Sequence, residues 1–187
     1  PATPCPIARW PRAQLLFHES AHQWAGNLVT MRSFDDLWLK EGFANFMAYK
    51  LAARALPAAL AEVAFHRLKV QANHTDESAG ARPIHHPLPD MAAAKSAYGA
   101  IVYAKAPALL RQLEFMVGEE SFRSGVRGWI RRHAGGTADW RDLIAALQVA
   151  SGRWLARWAG AWILRPGVPK LRANIGTGSD AIVVSQS

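Results

Sequence analysis

Apolar and polar positions alternate at helical spacing from residue 12 to residue 25, and Gly26-Asn27 supplies a stop because both residues tolerate a left-handed cap. A second helix, capped by Ser33 or Asp35, runs to about Leu56 ahead of Pro57, with Leu37, Glu41, Ala44, Ala48 and Leu51 on one face. The stretch 27–35 between them is long enough for an antiparallel return. A third helix is expected from Pro57 to about Ala72, Pro57 being tolerated in its first turn. Between Asn73 and Ala94 the residues turn to Asp, Gly, Pro and His, and Pro83, Pro87 and Pro89 predict a long loop that lines a cleft. Helical periodicity returns over 96–117, 119–133, 138–150 and 152–164, with Gly118, Gly135-Gly136 and Ser151-Gly152 as breaks and Thr137 and Ser151 as N-caps. Trp129, Trp140, Trp154, Trp158 and Trp162 are expected to pack between these helices. After Pro166 come two short β-like pieces, 170–175 and 181–185, around Gly176-Thr177-Gly178.

The pattern predicts a mainly α fold with a short β tail: an irregular segment 1–11, a helical domain 12–165, and a β-rich beginning at 166–187. With 187 residues and 50% hydrophobic content the chain can bury a core of its own. Its apolar runs are broken by Arg, Lys or His well short of a membrane span. Cys5, the single cysteine, excludes an internal disulfide and a cysteine-rich zinc site. A net charge of +8 permits attraction to nucleic acid, yet the basic residues are scattered and only Arg131-Arg132 are adjacent arginines, so a solvated surface is expected and no nucleic-acid partner. The chain opens on Pro1 and the segment to Pro11 lacks the features of a signal peptide. A missing N-terminal part is therefore expected, with a cytoplasmic location favoured and export left open.

The chemistry concentrates in His18-Glu19-Ser20-Ala21-His22, followed downstream by Glu41. Four residues advance a helix by about 400°, so the two imidazoles stack and can converge on one ion. Glu19 lies about 100° round, beside such an ion, where its carboxylate can take a proton from water. Two histidines and a carboxylate, Glu41 being the third ligand, suit a catalytic zinc with one open position. The plain alternative is an amphipathic helix with incidental histidines. Asp35 and Asp36 either orient a ligating imidazole or simply start a helix. His85-His86 read as solvent-exposed, Tyr98 as a packing residue, and His66, His74 and His133 lack ligand spacing.

The segments His22 to Thr30 and Asp35 to Ala44, with Tyr103-Ala104-Lys105 as a YxK match and Leu109 to Arg132 continuing it, resemble the zinc aminopeptidases of the membrane alanyl aminopeptidase family. The resemblance covers most of residues 12–165. It implies the helical part of a thermolysin-like (gluzincin) catalytic domain, followed by a β-sandwich whose start would be the β tail. It also implies one zinc ion per chain on His18, His22 and Glu41, Glu19 as base and then acid, Tyr103 as oxyanion donor, and peptide substrates cut at the N-terminus. Three departures stand out. Lys40 replaces the usual Asn, although consecutive helix residues diverge enough for it to face away. Ala106 replaces Gly after YxK and Pro107 follows, which puts Tyr103 on a different local backbone. The family's GxMEN segment, whose Glu captures the substrate's α-amine, has no match between Pro1 and Ser187. The alternative function is accordingly a truncated, catalytically weak zinc-binding or peptide-interaction module.

Overall fold

The computed structural model describes residues 6–175 and 182–186, which are mainly helical. In chain order the elements are α1 (Pro6–Ala21), β1 (Val29–Met31), a 3-10 turn (Phe34–Asp36), α2 (Leu37–Ala55), α3 (Ala58–Asp76), α4 (Met91–Ala97), a π-helical turn (Ile101–Lys105), α5 (Ala106–Val117), α6 (Glu119–His133), β2 (Gly136–Ala138), α7 (Trp140–Ser151), α8 (Ala156–Trp162), β3 (Leu171–Ile175) and β4 (Ile182–Gln186).

α2 is the central element. Leu37 to Leu39, Glu41 to Phe46, Ala48 and Ala52 are all buried, so its first half faces protein nearly all round. Phe43 and Phe46 meet Trp129 and Phe122 of α6 with ring centroids 6.1 and 5.6 Å apart. Burial of aromatic side chains of this size stabilises by about 1.5–3 kcal/mol each. The same core takes in Leu110 and Leu113 of α5, Leu143 and Leu147 of α7, and Ile163 after α8.

Several boundaries differ from the sequence reading. α1 starts at Pro6 rather than at residue 12 and continues through Pro11. It ends at Ala21, because the chain then widens: the N–H groups of Asn27, Leu28 and Val29 donate to the carbonyls of His22, Gln23 and Trp24, each five residues back. α3 runs on to Asp76, which is buried, so the proline-rich loop shortens to 77–90. The expected helix 96–117 is three pieces: α4, the π-helical turn after Gly99, and α5 beginning next to Pro107. Asp139 caps α7 with Asp142 in a reciprocal capping box, while Thr137 lies in β2. Ser151 caps nothing at α8; its hydroxyl bonds back to the Leu147 carbonyl. Trp154 is 80% exposed and does not pack between helices as expected.

β1 and β2 pair in parallel (Val29↔Gly136, Thr30↔Thr137, Met31↔Ala138), a three-residue ladder too short to show as alternation in the sequence. It fixes the loop after α1 against the entry to α7, and Arg32 reinforces it with bonds to Asp139 (2.8 Å) and Asp142 (3.0 Å). β3 and β4 pair antiparallel, matching the two expected pieces to within a residue; the Gly-Thr-Gly between them lies outside the described residues. Among the described residues no helix is long and apolar enough to cross a membrane.

Candidate metal centre and active site

α1 and α2 lie side by side and place the candidate ligands against each other. His18 and His22, one turn apart, meet edge to face with ring centroids 4.6 Å apart. The last turn of α1 opens at His22, whose Nδ1 is 3.0 Å from the Ala25 carbonyl oxygen. Nδ1 donates that bond, so Nε2 is the ring nitrogen turned toward the site. The two Nε2 atoms are 3.1 Å apart, and Glu41 Oε2 lies 3.4 Å from His18 Nε2 and 3.5 Å from His22 Nε2. Metal–ligand bonds of about 2.0–2.2 Å in a tetrahedron put ligand atoms roughly 3.3–3.6 Å from one another. The three donors therefore have the spacing of one shared ion, and both histidines and the glutamate are mostly shielded from solvent.

Glu41 is engaged at both oxygens. Oε2 accepts from the Tyr103 hydroxyl at 2.9 Å, and Oε1 lies 3.2 Å from Lys40 Nζ. Burial alone would raise this carboxyl, but the bonds from His18, Tyr103 and Lys40 and the charge of His22 outweigh it and hold it at about 2. Lys40 thus does not face away: it turns onto the ligand it precedes. Its stem runs over Gly26, where a Cβ would sit 2.9 Å from Lys40 Cγ, and φ of +121° excludes side chains there in any case.

Tyr103 is brought in by the π-helical turn. Its phenol is pushed upward by burial, by the bond to Glu41, and by the charges of Glu41, Tyr98 and Glu19, so it stays protonated. Tyr98, expected to pack, is 44% exposed, with its ring 6.2 Å from that of Tyr103. Glu19 is exposed beside the histidines, on the side open to solvent. Gly42 sets the distance between α2 and the turn. A Cβ there would lie 2.8 Å from Ala106 Cβ and 2.9 Å from the Val102 carbonyl oxygen.

A sequence model described as the peptidase family M1 domain matches residues 8–162 of the chain. The chain belongs to that family. It is similar to aminopeptidase N of Streptomyces lividans, 36% identical over 178 residues, 93% of this chain and 21% of that protein. It is also similar to leucyl aminopeptidase of Saccharolobus solfataricus (32% over 164 residues, 87% and 21%). Tricorn protease-interacting factor F2 of Thermoplasma volcanium is 36% identical over 160 residues (84% and 20%). The chain spans about one fifth of the length of these relatives.

Within this family M1 domain the two aspartates before α2 do not touch the candidate ligands. Asp35 Oδ1 accepts from the Leu88 N–H at 2.7 Å. Asp36, 2% exposed, accepts from His85 Nδ1 (2.8 Å), the Trp140 N–H (3.2 Å) and Trp38 Nε1 (3.3 Å). Burial pushes the Asp36 carboxyl up despite those three donors. His85 is therefore not solvent-exposed as expected but straps the proline-rich loop to the start of α2. Other contacts at the site went unread in the sequence. Lys105 pairs with Asp76 at 2.6 Å, both buried, and Asn45 bridges Gln14 and the Tyr103 carbonyl. The signal for the second was present: Gln14 precedes His18 by four residues and Asn45 follows Glu41 by four.

Proposed function

We propose that this chain is the catalytic core of a zinc-dependent aminopeptidase that hydrolyses N-terminal residues from peptides, with one zinc ion held by His18, His22 and Glu41. The observation that carries this is the meeting of the three donor atoms at 3.1–3.5 Å in a family M1 chain. Two imidazoles and a carboxylate are the donor set of a catalytic zinc. Bound there, zinc supplies Lewis acidity toward a peptide carbonyl and lowers the pKa of water.

The chain's own residues do the rest. Glu19, one residue from His18 and open to solvent, takes the proton of the attacking water and returns it to the departing amine. The Tyr103 hydroxyl keeps its proton and, exchanging its bond to Glu41 Oε2, donates to the oxygen that becomes negative in the tetrahedral intermediate, a contribution on the order of 3 kcal/mol. Lys40 holds Oε1 of Glu41 and leaves Oε2 toward the histidines.

The test is release of a fluorogenic leaving group from alanyl and leucyl substrates by zinc-loaded protein, beside Glu19→Gln and N-acetylated substrates. Glu19→Gln is expected to retain zinc and lose at least about 10²-fold in kcat, with blocked substrates left uncut. Unchanged turnover in Glu19→Gln would refute the mechanism. A folded, zinc-bound protein that cuts nothing would favour a peptide-binding module.

A further inference from the structure

Asn45 is 4% exposed, and both ends of its amide are used. Oδ1 accepts from Gln14 Nε2 at 3.0 Å, and Nδ2 donates to the Tyr103 carbonyl at 2.6 Å. The orientation of the amide is fixed by its partners, since a carbonyl can only accept. Pro107 removes the N–H that an α-helix would aim at this carbonyl, and Asn45 donates to it from α2. In an α-helix the carbonyl of residue 103 receives the N–H of residue 107, and residue 107 is proline, which has none. The local winding is π-helical, the Ala106 N–H reaching back five residues to Ile101.

The amide pair also extends the ligand stripes. Gln14 stands one turn before His18 on α1, and Asn45 one turn after Glu41 on α2. One neutral bridge therefore joins the helix of the histidines, the helix of the glutamate and the backbone that carries the Tyr103 hydroxyl.

We infer that Asn45 is a positioning residue that sets the Tyr103 hydroxyl against the metal ligands by holding the Tyr103 backbone carbonyl, to which Pro107 can donate nothing. Its consequence for catalysis rests on the aminopeptidase reading above; the positioning itself does not.

The experiment uses the whole protein with Asn45→Asp, which keeps the shape of the side chain but replaces the donor by an oxygen. Four quantities are read: kcat and KM on alanyl substrate, zinc affinity by chelator competition, and the Tyr103 Cζ resonance in metal-free protein, assigned through Tyr103→Phe. Expected are a roughly tenfold to hundredfold loss in kcat at constant KM and zinc affinity, no further loss when Asn45→Asp is added to Tyr103→Phe, and a shifted Tyr103 resonance. Gln14→Ala, which removes only the outer partner, moves kcat and the resonance the same way by less, and serves if Asn45→Asp does not fold. An equal loss in the Tyr103→Phe background, or an unmoved resonance, overturns the inference. If the native protein cuts no substrate, the aminopeptidase reading fails while the resonance still decides the role of Asn45.

Discussion

The pair Asp76–Lys105 gives a sharp test of what holds the Tyr103 segment in place, because Lys105 ends the π-helical turn and Asp76 ends α3. Their side chains are 1% and 6% exposed, and Nζ lies 2.6 Å from Oδ2. Among the described residues neither atom has a hydrogen-bond partner, so the contact is held by charge. Asp76 Oδ1 separately accepts the Gly167 N–H at 3.1 Å. At an effective dielectric constant of 20 two charges this close attract by about 6 kcal/mol, most of which offsets the cost of taking both out of water. The net value of the pair is therefore small, whereas removal of one member strands a buried charge at a cost of about 3–5 kcal/mol. A groove of about 700 Å³ borders both residues and admits water, which places the expectation near 3 kcal/mol. Asp76→Asn keeps the acceptor for Gly167, removes the charge and turns an amide N–H2 toward Lys105. Urea unfolding of Asp76→Asn, Lys105→Met and the double variant is expected to show about 3 kcal/mol lost in each single and much less than their sum in the double. Additive losses, or a single loss under about 1 kcal/mol, would refute the reasoning and identify the pair as water-screened.

Zinc at one hundred times its dissociation constant is expected to raise the unfolding free energy by about 2.7 kcal/mol, reversibly with chelator, and to do nothing for His22→Ala; a thermal shift series checks this. In metal-free protein Glu41 stabilises the fold because its carboxyl is held at about 2 against an ordinary 4.5. The sign follows: the contribution, on the order of 3 kcal/mol, is full above 4.5 and is lost as pH falls toward 2, and Glu41→Gln should flatten that part of the stability–pH curve. Gly42→Ala drives a Cβ to 2.8 Å from Ala106 Cβ and 2.9 Å from a backbone oxygen. A loss of about 1–3 kcal/mol by denaturant titration is expected, together with weaker zinc binding as α2 moves off the turn.

The readable part of the site was that governed by local spacing. His18 and His22 are one helical turn apart, and any helix brings them together; α6 spans Glu119–His133 as expected because Gly118 and Gly135-Gly136 bound an amphipathic run. What remained hidden depends on partners far along the chain. The β1–β2 ladder needs residues 29–31 to find 136–138. Whether His85 is exposed or bound turns on a buried aspartate in a different element, and nothing in His85-His86-Pro87 names Asp36. Lys40 could be placed about 100° from Glu41 by helical geometry, yet a lysine stem is long enough to fold back, and Gly26 supplies the surface along which it does so.

The two substitutions after the YxK segment follow the same logic. Ala106 replaces a glycine, and its Cβ occupies the space facing Gly42, so of these two positions only one can carry a side chain while α2 stays this close to the turn. Glycine at 42 keeps Glu41 within 2.9 Å of the Tyr103 hydroxyl despite the added methyl group. Pro107 removes a backbone donor, and Asn45, one turn beyond Glu41, supplies a replacement from the neighbouring helix. Both positions are contacted from α2, by residues spaced one and four positions from the candidate ligand. The geometry at Tyr103 is consequently decided by α2 as much as by the segment that contains it.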